Sequence, residues 1–326
     1  MLTPADLHGT MAMMPAFATD DAADIQARST IHTEHLREGV DRIIRDGVDV
    51  IATTGSFGEF HTLLRDEFET LTVATVEAVN HRVPLFIGCT SLNSREAVEK
   101  IAFARDAGAD GVLVGVPFYF PSTIENALRF YREIAELFPT LAIMIYHNPP
   151  LHRVTLGVEA FRRIVQSPNI MAMKDSHRDT RAFMRLHEIV GGRISMFVNQ
   201  GQYFPFGRLG APGFWSYDCW MGPWPLVRLR EAVVAGDDET ARAITMDLLA
   251  MTISGTATAP SSLEWRETAS KIAAQHAGYC QPGPLRPPFL EIPSNVRENA
   301  QKYAAHWQRL CARYRPPVEA PALAGV

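Results

Sequence analysis

Lysine is scarce in this 326-residue chain. Only Lys100, Lys174, Lys271 and Lys302 stand among 31 cationic side chains, so arginine carries the solvated positive surface and a lysine in an apolar context stands out. Lys174, which follows the run Ile170, Met171, Ala172 and Met173, is that lysine. Cysteine is scarce too. Cys89, Cys219, Cys280 and Cys311 lie far apart, with no CxxC and no paired metal spacing, which argues against a disulfide scaffold and a zinc site and reads as a reduced, cytosolic chain. No stretch of about 18 apolar residues occurs, and the first residues, MLTPADLHGT, show no basic patch running into an apolar one. Neither a membrane span nor a secretion signal is expected. Positive charge is in deficit: 31 Lys and Arg against 36 Asp and Glu give a formal charge of −5, too little field to attract a phosphate backbone. Also missing are GxGxxG, GxxxxGK[ST], GxSxG and HExxH, which removes the usual nucleotide, serine-hydrolase and zinc-protease signals.

What is present is an ordinary globular composition, 47% hydrophobic and 21% charged, arranged as an alternation. Short runs rich in Val, Ile and Met (11–17, 48–55, 83–91, 111–118, 141–147, 169–175, 194–200 and 213–217) are separated by amphipathic segments. The runs are continuous rather than alternating, the pattern of parallel strands buried on both faces, and eight such units close into a (β/α)8 TIM barrel. The segment from Ser122 places Ile124, Leu128, Tyr131, Ile134 and Phe138 on one helical face, with Ser122 and Glu125 as a capping box; Asn93 and Glu96 mark the preceding helix in the same way. After Trp224 the sequence turns polar and Ala-rich, broken at 256–262 and 282–289. The expected division is a barrel over 1–235, carrying the active site, and a small C-terminal helical domain with an irregular tail over 236–326.

Catalytic groups of such a barrel come from the C-terminal ends of strands and the loops after them. There the chain offers TTGSFGE (53–59), PFYFP (117–121), YHNPP (146–150), KDSHRD (174–179), NQGQ (199–202) and WSYDCW (215–220). An ammonium at Lys174 on the barrel axis would be desolvated and its pKa depressed, giving a free amine able to attack a ketone; the alternative is an internal lysine paired with Asp175 or Glu59. Tyr146, ending the neighbouring strand, can shuttle a proton or simply cap the strand as a core tyrosine. Ser56 and the backbone N–H groups of the glycine-bearing turn through Phe57 and Gly58 can bind a carboxylate. Asn148, two residues after Tyr146, can hold a water by donating and accepting at once. Phe57, Phe120, Trp215 and Trp220 would make an apolar wall for an aromatic ring, with packing under the C-terminal region as the alternative for the two tryptophans. His147, His152 and His177 lie near the same place but do not cluster as metal ligands.

GSFGE at 55–59, Y-x-x-P at 146–149 and a strand ending in Lys174 resemble the pyruvate-dependent class I aldolase superfamily of dihydrodipicolinate synthase and N-acetylneuraminate lyase. The likeness spans nearly the whole chain, including Lys271, Gly278 and LRPPF at 285–289. It implies the barrel with its C-terminal helices, a Schiff-base lysine at Lys174, an acid/base tyrosine at Tyr146 and a hydroxyl relay at Ser56. Two positions depart from the family pattern: Phe57 replaces a threonine that helps hold the pyruvate carboxylate, and His147 replaces an asparagine. TTGSFGEFHTLL, YHNPP, MKDSHRDTR, FWSYDCWMGPWPL and WRETASKIAAQHAGY look like the hydratase-aldolases of bacterial polycyclic aromatic degradation. The resemblance thus implies a lyase that cleaves an ortho-substituted trans-benzylidenepyruvate, o-hydroxy or carboxy, to an aromatic aldehyde and pyruvate, with a covalent imine on Lys174 and no metal or organic cofactor. It also implies a homotetramer in which Tyr119 reaches an active site across a dimer interface. Relatives acting on sugar acids or an aspartate semialdehyde are the rival within the superfamily, and a silent barrel the rival outside it; the aromatic strand ends disfavour the first and the presence of both Lys174 and Tyr146 the second.

Overall fold

The computed structural model of the chain describes residues 2–175, 178–251, 253 and 263–317. Eight parallel strands, β1 (Gly9–Met13), β2 (Val50–Ala52), β3 (Leu85–Gly88), β4 (Gly111–Val114), β5 (Ala142–His147), β6 (Ile170–Asp175), β7 (Ser195–Asn199) and β8 (Gly213–Ser216), form a closed barrel in sequence order. Closure comes from β1 pairing with β8, Met11 beside Trp215. Between and after the strands come α1 (Thr33–Arg45), α2 (Arg65–Val79), α3 (Ser94–Asp106), α4 (Ile124–Leu137), α5 (Pro149–His152), α6 (Phe161–Ile164), α7 (Thr180–Val190), α8 (Tyr203–Gly207) and α9 (Trp224–Ala235). Three more helices follow: α10 (Asp238–Leu249), α11 (Leu263–Ala277) and α12 (Ser294–Tyr314). The fold is the (β/α)8 TIM barrel with C-terminal helices.

Each apolar run contains a strand, shortened where chain chemistry forbids the ladder. The run at 11–17 is cut after Met13, near Pro15, which has no N–H to donate, whereas the strand starts early because Gly9 and Thr10 pair with Gly213 and Phe214. The breaks expected at 256–262 and in the tail beyond 317 lie outside the described residues.

Alternation along the strands sorts side chains into two layers. Met11, Met13, Val50, Ala52, Met144, Tyr146, Ala172 and Trp215 pack inside the barrel, while Ile51, Ile143, Ile145 and Met173 pack outward against the helices. This parity turns Tyr146 and Lys174 to the axis, side by side, because Tyr146 pairs with Lys174 across β5 and β6.

One capping assignment differs from the sequence expectation. Asn93 does cap α3, accepting from the Glu96 N–H at 3.0 Å. The cap of α4 is Thr123, not Ser122: Thr123 has the extended backbone a cap needs (φ −71°, ψ 158°) and its Oγ1 accepts from Asn126 N–H at 3.2 Å, while the Ser122 hydroxyl donates to the Thr123 carbonyl. Leu128, Tyr131, Ile134 and Phe138 are buried as the periodicity requires, but Ile124, the first helical residue, is exposed.

Candidate active site

A cavity of about 450 Å³ opens at the C-terminal end of the barrel, and Lys174 lies on its wall, 3% exposed. Its Nζ sits 3.4 Å from the centre of the Trp215 ring and 4.7 Å from that of Tyr146. Burial lowers its pKa from the ordinary 10.5 to about 7, against the opposing pull of the Glu267 and Asp175 carboxyls. Of the two partners the sequence offered, Glu59 is held elsewhere, by Lys271 at 2.6 Å and Arg286 at 2.8 Å. Asp175 Oδ1 lies 3.0 Å from His147 Nδ1, and Arg178 lies 2.5 Å from Oδ2. His147 Nε2 accepts from the Leu156 N–H at 3.1 Å, which puts the ring proton on Nδ1, facing Asp175. The Asp175 carbonyl in turn accepts from Trp215 Nε1 at 3.0 Å and fixes the indole against the lysine.

Tyr146 is supported from three sides. Its hydroxyl is 2.9 Å from Ser56 Oγ and accepts from the Ser56 N–H at 3.4 Å, and the Asn148 side chain lies close by. Burial raises its pKa. Below it the Tyr146 carbonyl meets His152 Nδ1 at 2.9 Å, and the desolvated imidazole, its pKa lowered to about 4, is neutral near pH 7. Asn148 stands at the N-cap position of α5 without making a capping bond. It lines the cavity together with Ser56 and Phe57.

The turn from Thr53 to Glu59 that brings Ser56 to Tyr146 is bent by residues that seldom adopt left-handed backbone: Thr54 has φ 42° and Glu59 φ 52°. Thr54 is fixed by its hydroxyl donating to the Gly88 carbonyl at 2.8 Å, and Glu59 by its two cationic partners. Gly58 serves this turn and is not part of the cavity wall: a Cβ there would lie 2.7 Å from the Thr54 nitrogen and 3.0 Å from the Met14 carbonyl. Its expected place in the binding surface is corrected accordingly.

The aromatic wall is Phe57, Trp215 and Tyr217, with Tyr217 5.4 Å from Phe57 and 6.4 Å from Trp215 between ring centres. Trp220 does not belong to it. The chain leaves β8 at Ser216 and turns into a short 3₁₀ segment, Asp218–Met221, which carries Trp220 away from the axis into the outer core, fully buried and edge-on to Phe17 at 5.6 Å. Phe120 is 75% exposed and likewise lies off the wall. Tyr119 is 68% exposed, its carbonyl accepting from Arg153 at 2.9 Å, and it too lines no part of the cavity. His177 lies outside the described residues.

Several wall residues are not among the candidate site residues drawn from the sequence. Arg266 and Glu267 come from α11, and Gln200, Asp218 and Tyr303 from the β7 and β8 ends and α12. Burial raises the pKa of Glu267, against the nearby Lys174 ammonium. Chemically the site joins an amine with a high free-base population, a hydrogen-bonded phenol and an aromatic wall. Among the described residues no group of three or more His, Cys, Asp or Glu is placed to hold a metal ion, and no helix is long and apolar enough to cross a membrane.

The family model for the dihydrodipicolinate synthetase family matches residues 19–306. A trans-O-hydroxybenzylidenepyruvate hydratase-aldolase of Pseudomonas aeruginosa is 30% identical over 322 residues, 96% of each chain. A trans-2'-carboxybenzalpyruvate hydratase-aldolase of Nocardioides sp. (strain KP7) is 25% identical over 326 residues, again 96% of each. Among solved structures, PhdJ bound to a substrate intermediate superposes with a TM-score of 0.92 at 28% identity, covering 96% of this chain and 99% of that one.

Proposed function

The chain belongs to the dihydrodipicolinate synthetase family and is a lyase, and from that premise we propose that it is a Schiff-base-forming hydratase-aldolase, cleaving an ortho-substituted trans-benzylidenepyruvate to an aromatic aldehyde and pyruvate. Such compounds arise in the breakdown of polycyclic aromatics. The observation that carries this reading is the Lys174 amine on the axis, its pKa lowered by burial, packed between the Tyr146 ring and the Trp215 indole.

In the proposed sequence the free amine of Lys174 attacks the C2 ketone, water leaves, and an iminium conjugated to the C3–C4 double bond results. Water adds at C4 and a proton is gained at C3, giving an aldol. Tyr146 then takes the proton of the C4 hydroxyl as its own phenolic proton moves along the hydrogen bond to Ser56 and the serine proton moves on to solvent. The C3–C4 bond breaks, releasing the aromatic aldehyde and leaving an enamine on Lys174. Protonation at C3 and hydrolysis free pyruvate and restore the amine. The iminium is the only electron sink the sequence needs, so no metal or organic cofactor enters it. Asn148, on the cavity wall beside Tyr146, is the residue we assign to holding the attacking water. Trp215, Phe57 and Tyr217 would cover the aryl ring. A second copy of the chain is proposed to pack against the exposed Tyr119.

Incubation with trans-benzylidenepyruvates should yield stoichiometric aldehyde and pyruvate by chromatography. A larger kcat/KM for condensing pyruvate with an aspartate semialdehyde would replace this reading with the synthase reaction.

A further inference from the structure

The two strands that carry the amine and the phenol do not run in simple register. Near the start of the pair Ile143 stands beside Ile170, but the next partners are Met144 and Ala172, so β6 holds one extra residue, Met171. Without it Tyr146 would face Met173, and Lys174 would lie beside His147. The register that brings Tyr146 and Lys174 together is therefore fixed above the bulge. One step beyond them a pair of side chains closes it. His147 and Asp175, partners in the ladder, are 3% and 4% exposed, and the His147 Nδ1–H donates to Asp175 Oδ1 at 3.0 Å. Both share the outward parity of Ile145 and Met173, and neither lines the cavity. The contact is tied into a ring: His147 Nε2 accepts from the Leu156 N–H at 3.1 Å, the Leu156 carbonyl accepts from Arg178 Nη2 at 2.9 Å, and the Arg178 guanidinium pairs with Asp175 Oδ2 at 2.5 Å. The Asp175 carbonyl meanwhile holds the Trp215 indole that packs on Lys174.

We infer that His147 is a positioning residue of the proposed reaction: by donating to Asp175 it locks the ends of β5 and β6 in the register that sets Tyr146 beside Lys174. The Leu156 contact fixes the tautomer and the Asp175 contact fixes the strands. A neutral imidazole accepts on one nitrogen and donates on the other, and because the acceptor meets a backbone N–H the donor is left for the carboxylate. Loosened strand ends would leave the amine buried and able to form its imine, but would carry the phenol away from the C4 hydroxyl, where an error of about 1 Å costs on the order of 10² in rate. This role rests on the hydratase-aldolase reading, in which Tyr146 acts on a substrate held by Lys174, and adds to it a residue that touches no substrate atom.

Two variants divide the imidazole between them. In His147→Asn the amide NH2 falls near the Nδ1 place and still donates to Asp175; in His147→Gln the longer amide reaches the Nε2 place, where it serves Leu156 and withdraws the donor from Asp175. For each, kcat on a trans-benzylidenepyruvate is measured beside the rate at which borohydride traps pyruvate on Lys174, with Tm as the record of folding. His147→Gln should lower kcat by about tenfold or more while trapping stays within about threefold of the unaltered enzyme, and His147→Asn should recover most of that loss. The deciding arm repeats His147→Gln in the Tyr146→Phe background, where the phenol is already gone. A residue that works through Tyr146 costs nothing more there, whereas one that merely supports the fold costs the same factor again. No loss in His147→Gln, equal losses in the two variants, or an undiminished loss in the Tyr146→Phe background overturns the inference while the hydratase-aldolase reading stands. If the unaltered enzyme turns over no trans-benzylidenepyruvate, both fall together.

Discussion

Two lysines in this molecule are equally hidden and differ in everything else. Lys174 is 3% exposed and Lys271 2%; burial lowers the pKa of the first to about 7 and of the second to about 8. Lys271 donates to Glu59 at 2.6 Å and to the Pro284 carbonyl at 2.6 Å, at the meeting point of α11, the LRPPF segment and the β2 turn. Lys174 faces aromatic rings and an open cavity. Desolvation alone therefore does not make a nucleophile. An amine also needs uncommitted lone-pair direction and room for a carbonyl carbon, and only the axial lysine has both.

The comparison breaks first at the covalent step. Pyruvate with borohydride should attach a three-carbon adduct to Lys174 and none to Lys271, and Lys174→Arg should abolish the adduct and lower turnover by about 10³ or more. Peptide mass mapping reads the first and steady-state kinetics the second; an adduct on Lys271 would erase the distinction. Tyr146→Phe should keep the Lys174 adduct and lose about 10² in kcat, the scale of one positioned acid/base group. A variant with normal kcat would remove the phenol from the chemistry. Lys271→Met should act in the opposite sense, lowering stability by about 3 kcal/mol by denuding the Glu59 carboxylate of one of its two cations, while the folded fraction still traps pyruvate at Lys174. Thermal melting beside adduct yield separates the two effects. The smallest effect is the pH profile. The amine attacks only when unprotonated, so with a pKa of about 7 the adduct rate should be half-maximal near pH 7 and fall about tenfold per unit below it. A midpoint near 10 would mean that burial does not arm Lys174.

Strands were legible because each lies in a short run of apolar residues, and Lys174 because one rare cation ends such a run. Tyr146 was legible because it ends the neighbouring strand and opens the Y-x-x-P motif at 146–149. What was not singled out are side chains delivered from far along the chain: Glu267, though it lies in a stretch that carries the family resemblance, and Tyr303 reach the cavity from α11 and α12. Trp220 misled for a local reason. It is five residues from Trp215, yet a 3₁₀ turn between them sends one indole to the axis and the other to the outer core, and no period distinguishes that from a continuing strand end. Gly58 was read by its N–H, whereas its missing Cβ is what the turn requires.

The placement of Glu267 and Lys271 four residues apart on α11 has a consequence for how the protein comes into being. One face of that helix sends a carboxyl to the active cavity and an ammonium to the turn that holds Ser56. The partners of Glu59 lie 212 and 227 residues downstream, so during synthesis the barrel strands emerge with that turn still unbraced and the cavity still unroofed. A ribosome has to deliver nearly the entire chain before the axial amine acquires its finished surroundings. A prematurely terminated barrel would contain Lys174 and Tyr146 and still lack both braces of the turn beside them.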